Sequence, residues 1–258
     1  IYTGEDTLSL HDALPIFFDT LDITCCENHD RLAVNDPSIP CDTTNLILKA
    51  TALFRQKTKS SQYFNIILNK NIPMEAGLGG GSSNAATTLW AINVLCGSPA
   101  TIEELMTWGA EIGSDVAFFL SEGTALCTGR GEKIHPVPAL TPQRSGWIVK
   151  PSFGLSTPSV YKHLKLVELP QNEPEKALKK IIEGELCYFN DLESPAFSLS
   201  PPLAALKEEL ITLGYEKVMM TGSGSAIVCI GLQQPPEREG LWAQKICFVN
   251  RNADTWYS

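Results

Sequence analysis

The sequence predicts an α+β chain in two parts, and three observations carry that expectation. Short apolar runs of strand length alternate with stretches of helical periodicity. A glycine-dense loop, Pro73-Met-Glu-Ala-Gly77-Leu-Gly79-Gly80-Gly81-Ser82-Ser83-Asn84-Ala85-Ala86, runs straight into one of those helical stretches. Pro136, Pro138 and Pro142 then break the chain, and a second strand set alternating with helical segments follows. Residues 1–140 are expected to form the first part and residues 141–258 the second.

Composition bounds the function classes. With 43% hydrophobic and 19% charged residues in 258, the chain reads as an ordinary soluble globular protein, large enough for a substantial core. A formal net charge of −9 argues against a nucleic-acid or anionic-membrane surface, so an anionic substrate needs a local site. The eight cysteines show no Cys-x-x-Cys spacing, and Cys96, Cys127 and Cys229 sit among apolar neighbours, which predicts a reducing, cytoplasmic setting without zinc.

Taken in order, residues 1–16 have neither signal-peptide nor transit-peptide composition. The neighbours His11 and Asp12 read as an arbitrary exposed pair rather than a catalytic one. Residues 21–24 and 32–34 are strands, and residues 44–54 form an amphipathic helix with Asn45 as N-cap and Leu46, Ala50 and Leu53 or Phe54 facing inward.

The glycine loop reads as a phosphate cradle. Glycines remove Cβ atoms that would hold a ligand off the backbone and permit positive φ, so several N–H groups can point into one concavity. Ser82 or Ser83 is expected to cap the following helix, whose first turn offers N–H donors and a positive dipole end to an anion. A P-loop is excluded because no lysine occurs between Lys70 and Lys133. The dinucleotide fingerprint fails because its third glycine position is Ser82 and residues 73–76 separate the loop from the apolar run 64–68. A mobile linker is disfavoured by the helix that follows at once, with Ala85, Leu89, Ile92 and Cys96 on one face and Gly97 and Pro99 as its stop.

Thr101 and Glu104 form a capping box for a helix through Leu105, Trp108 and Ile112, ended by Gly113. Ser114 is read as the cap of a short helix, with Asp115 in its first turn as a complement to the dipole. Residues 124–128 are a strand, and residues 129–132 a tight turn with a solvated Arg130. A strand at residues 146–150 leads to a Pro/Ser-rich turn ending in Tyr161, and Asn190 to Glu193 marks a helix start. Leu203, Leu206, Leu210 and Leu213 line one side of a helix ended by Gly214. Residues 218–230 read as strand, glycine turn, strand, for which the bland alternative is a hairpin with a type I′ or II′ turn.

These residues carry a resemblance. The glycine loop resembles the central ATP-binding motif of the GHMP small-molecule kinases, Pro-x-x-x-Gly-Leu-Gly-x-x-Ser-Ser, and the form Gly-Gly-Gly-Ser-Ser-Asn-Ala-Ala is most similar to the branch acting on 4-diphosphocytidyl-2-C-methyl-D-erythritol. Asn190-Asp191-Leu192-Glu193 matches a family segment expected to order the interface between the domains, and Gly222-Ser223-Gly224 resembles the family's third motif, in the expected order, whose glycine turn packs against the phosphate loop and completes the active site. The resemblance implies a ribosomal protein S5 domain 2-like N-terminal domain, a ferredoxin-like C-terminal domain and a site in the cleft between them. It implies ATP and Mg²⁺ as cofactors, with ATP held by Pro73, Gly77, Leu78, Gly79, Gly80, Gly81, Ser82, Ser83, Asn84 and Asn45, and the metal by Ser83. Asp115, within Gly-Ser-Asp-Val-Ala-Phe-Phe, becomes the catalytic aspartate. Thr157, Tyr161, Gly222, Ser223 and Gly224 become substrate-binding, Tyr161 as a stacking platform. No nucleic-acid or membrane partner is implied, and the expected state is a monomer or homodimer. The family's opening lysine strand finds no match before Phe17, so residues 1–16 are expected to be foreign and to leave a ladder edge open.

Overall fold

A computed structural model describes residues 7–9, 17–121, 123–138, 144–165 and 174–248. His11, Asp12 and Pro142 lie outside them. In the first part, β1 (Thr7–Ser9), β2 (Thr20–Cys26), β3 (Arg31–Val34) and β4 (Tyr63–Asn69) form a sheet ordered β1-β2-β4-β3. β2 and β4 run antiparallel with Thr20 opposite Asn69, and β3 joins β4 in parallel through α1 (Leu46–Thr58). Thr7 sits opposite Thr24, so β1 covers part of the edge expected to be open.

The strand alternation decides which face is covered. Leu21 and Ile23 on β2 and Phe64, Ile66 and Leu68 on β4 are buried, while Ile67 on the other face is 51% exposed. Helices α1, α2 (Gly80–Leu95), α3 (Ile102–Ile112) and α4 (Val116–Phe119) pack onto the buried face. Each large side chain buried there contributes about 1.5–3 kcal/mol.

Local chemistry explains the helix starts. Asn45 Oδ1 accepts from the Ile47 amide at 2.9 Å, as an N-cap should. That cap sets the phase so that Ile47, Ala50, Thr51 and Phe54 are buried, while Leu46 is half-buried against the core. Thr101 and Glu104 form the reciprocal capping box at α3, closing at 3.2 and 2.8 Å. At α2 neither serine caps. Gly79, in the left-handed region at φ 68°, is the N-cap, and the Ser83 amide already bonds Gly79 O at 2.9 Å, which places Ser82 and Ser83 inside the first turn. Ser114 does not cap α4 either; Asp115 holds that position without a side-chain cap bond.

A hairpin of β5 (Ala125–Thr128) and β6 (Lys133–Pro136) leads to the second sheet. There β7 (Ser145–Pro151), β8 (Lys217–Met220), β9 (Ile227–Ile230) and β10 (Leu241–Cys247) are antiparallel in the order β10-β7-β9-β8, a ferredoxin-like arrangement. Helices α5 (Thr157–His163), α6 (Pro174–Ile182), α7 (Glu193–Leu199) and α8 (Pro201–Thr212) fill the connection from β7 to β8. Val160, Ala196, Leu203, Leu206 and Leu210 bury one face of this sheet, while Leu213, the C-cap of α8, stays exposed. Residues 231–240, which include Pro235 and Pro236, cross from β9 to β10 without a helix. The opposite face presents Ile148, Val228, Trp242 and Ile246 to Ala76 and Leu78 of the glycine loop, and Phe17 stacks on Trp242 at 5.0 Å. The glycine loop is therefore fixed between the two sheets.

Candidate active site

The seam between the sheets is made by two backbones. The Ser225 amide donates to Glu75 O at 3.2 Å, the Ala226 amide to Ala76 O at 3.1 Å, and Thr221 Oγ1 to Gly77 O at 3.0 Å. Residues 221–226 separate the last β8/β9 pair, too many for a two-residue turn, and their length is what lets them reach the loop. A Cβ on Gly77 would lie 2.1 Å from Thr221 O, and one on Gly222 3.1 Å from Gly77 O.

The other loop glycines are also explained by neighbours. A Cβ on Gly79 would meet the Phe119 ring at 2.7 Å, and one on Gly80 would meet Lys70 Nζ at 3.1 Å. The glycines thus bring the protein's own parts together, where the sequence suggests that they clear space for a ligand. Gly81 has ordinary room beside Leu46. Because α2 starts without a side-chain cap, its first-turn N–H groups remain available to an anion.

Under this start lies a buried polar cluster. Asp19, with its side chain only 2% exposed, accepts four hydrogen bonds: the Asn71 and Ile72 amides on Oδ1 at 2.7 and 2.8 Å, and Lys70 Nζ and Asn84 Nδ2 on Oδ2 at 2.7 and 3.0 Å. Lys70 also donates to Ile72 O. Burial pushes the Lys70 ammonium below its ordinary value, and Asp19 pulls it back up. The β2/β4 register that sets Thr20 against Asn69 carries on to set Asp19 against Lys70. Asp19 was not marked in the sequence because its partner becomes visible only once that pairing is known.

A cavity of about 540 Å³ opens above the loop. Its lining brings together Asn45, Pro73, Gly77 to Ser82 and Asn84 from the ATP set, Asp115, and Thr157, Tyr161, Gly222 and Ser223 from the substrate set. Ser83 and Gly224 do not line it. Leu46, Lys70, Met74 and Glu75, unassigned from the sequence, do. Asp115 is exposed on its rim, and Cys127, whose apolar neighbours suggest burial, is exposed as well. Tyr161 is 56% exposed and free to present its ring. Thr157 Oγ1 and Ser223 Oγ bond at 2.7 Å, linking the turn after β7 to the glycine turn. Asn45 spends its amide on Pro40 O and its oxygen on the helix cap, so it serves the wall chiefly as structure. Arg130 is solvated, with Glu132 at 3.9 Å. Among the described residues no group of three or more His, Cys, Asp or Glu could hold a metal by itself, and no helix is long and apolar enough to cross a membrane.

A helix start without a side-chain cap behind a glycine loop, facing Asp115 across a cavity between the two sheets, is the layout of a small-molecule kinase. Residues 45–123 match the GHMP kinases N terminal domain and residues 174–241 the GHMP kinases C terminal domain, and the chain belongs to the GHMP kinase family. Within it, the chain is 50% identical over 229 residues to 4-diphosphocytidyl-2-C-methyl-D-erythritol kinase of Protochlamydia amoebophila, covering 89% of this chain and 77% of that one. The chloroplastic kinase of that name from Oryza sativa subsp. japonica is 41% identical, covering 99% and 69%. A crystal structure of 4-(cytidine 5′-diphospho)-2C-methyl-D-erythritol kinase superimposes with a TM-score of 0.68 at 29% identity, covering 88% and 89%. Homoserine kinase from Cytophaga hutchinsonii shares the fold, with a TM-score of 0.69 at 16% identity over 91% and 87%.

Proposed function

We propose that this chain transfers the γ-phosphoryl group of ATP to the 2-hydroxyl of 4-diphosphocytidyl-2-C-methyl-D-erythritol, a step of non-mevalonate isoprenoid biosynthesis, in the cytoplasm. The observation that carries the reading is the single cavity shared by the glycine loop, Asp115 and the Thr157, Tyr161, Gly222 and Ser223 set. The 50% identity with a relative of that name favours this substrate over homoserine, whose kinase shares the fold at 16%. Residues 1–140 would then be the nucleotide-binding part and residues 141–258 the part that completes the substrate site.

The N–H groups of the loop and of the first turn of α2 bind the phosphates, which explains how an acidic chain holds an anion. Asp115 accepts the proton of the substrate hydroxyl as that oxygen bonds the γ-phosphorus and the bond to the β–γ bridging oxygen breaks, releasing ADP. Tyr161 stacks on the cytosine, and Ser223, held by Thr157, faces the substrate. The donors suit Mg²⁺ shared with phosphates, since it needs only one or two protein oxygens. Ser82 lines the cavity and would hold the ion; Ser83, the residue expected from the sequence, does not line it. When bound, the ion neutralises charge on the transferring phosphoryl group. ADP release measured with the cytidyl substrate, homoserine and mevalonate tests the reading. Turnover with the first alone is expected; a preference for either other alcohol would overturn it.

A further inference from the structure

The segment from Asn190 to Glu193 has no part in the chemistry above, and neither residue lines the cavity. Asn190 Nδ2 donates to Met220 O and to Gly222 O, each at 2.8 Å. Its Oδ1 accepts from the Leu192 amide at 3.0 Å, just ahead of α7. Glu193 Oε1 accepts from the Met220 amide at 2.8 Å, while its Oε2 takes Lys207 Nζ at 2.6 Å. The last residue of β8 is therefore held by both its carbonyl and its amide. One and two residues on, Thr221 and Gly222 press against Gly77.

From this geometry we infer that Asn190 is a positioning residue for the phosphate cradle, acting through the 220–222 backbone on Gly77. A side chain needed only to start α7 would use its acceptor alone. Asn190 also donates from its amide nitrogen to two carbonyls of the turn, which ties Met220 and Gly222 to one side chain. Gly77 shifts with the turn, because Thr221 O stands only 2.1 Å from where a Cβ on Gly77 would be and Thr221 Oγ1 is bonded to Gly77 O. A drift of the turn therefore moves the loop N–H groups.

This rests on the nucleotide-site reading, and the test separates the two. Asn190→Asp keeps the acceptor for Leu192 but sets a carboxylate oxygen against two carbonyls; Asn190→Ser keeps a shorter acceptor without that repulsion. Calorimetric titration with Mg-ATP and with adenosine, beside thermal melting, is run on the whole chain. Both variants should lose roughly tenfold or more in Mg-ATP affinity, Asp more than Ser, while adenosine binding stays within about twofold. If the Asp variant does not fold, the Ser variant decides by the same criterion. Unchanged Mg-ATP affinity, or equal losses for ATP and adenosine, would overturn the positioning role. A parent chain that binds no Mg-ATP would instead count against the nucleotide site.

Discussion

Asp115 stands on the cavity rim without a capping bond, so little of the fold depends on its charge. Asp115→Asn should therefore leave the melting temperature and both Michaelis constants near those of the parent while turnover falls ~10²–10⁴-fold, the contribution of a positioned base. Steady-state kinetics beside a melting curve checks this, and undiminished turnover would remove Asp115 from the mechanism. Tyr161 is more than half exposed on a helix whose buried anchor is Val160, so its ring is surplus to packing. Tyr161→Ala should raise the Michaelis constant for the cytidyl substrate by the ~1–3 kcal/mol of a lost stacked base and leave that for ATP in place. Equal effects on the two would make the residue structural.

Elements whose ends are set by neighbouring residues were legible from the sequence. Asn45 and the Thr101/Glu104 box lie beside the amides they satisfy, so chemistry and spacing alone reveal them. The start of α2 was misread because it lacks what a reader looks for: Gly79 provides only a backbone conformation, and the serines that resemble caps are helical. The cluster of Asp19, Lys70 and Asn84 was hidden for a different reason, since its members stand 51 and 65 positions from Asp19 in the chain. It ties β2, the end of β4 and the first turns of α2 together, and its Lys70 side chain is 8% exposed. Asp19→Asn should thus destabilise the chain by about 3–5 kcal/mol, the loss on stranding one member of a buried pair. Urea unfolding measures it, and Asp19→Asn with Lys70→Met should recover part of the loss. An unfolding midpoint equal to the parent's in the single variant would show that the cluster holds nothing together.

At the scale of the molecule, the GHMP-type motifs were legible as ligand-binding sequences that pack together, but not in the backbone contacts that make them the surface on which two sheets meet. Gly77 and Gly222 belong to motifs far apart in the chain; the first was read as making room for phosphate, and the turn holding the second, through the resemblance, as packing against the phosphate loop and completing the site. In the structure the two residues make room for each other, with Glu75, Ala76 and Gly77 bonded to residues 221–226. Nucleotide binding and cohesion of the two sheets should consequently share one determinant. Gly77→Ala places a methyl group on the Thr221 carbonyl, and the obstacle is backbone, so no side-chain rotation relieves it. The backbone φ of 70° adds about 1–2 kcal/mol of strain for any residue with a Cβ. The seam must then open, and two consequences follow together. Mg-ATP affinity should fall by an order of magnitude or more, because the loop no longer rests against a fixed support. Calorimetric melting should broaden or divide, because each sheet keeps its own buried core while the contact coupling them is weakened. Gly81→Ala is the control: its Cβ meets only Leu46 at 3.7 Å, so it should melt as the parent does. A Gly77→Ala chain that melts in one sharp transition with parental Mg-ATP affinity would show that the two sheets do not communicate through this seam.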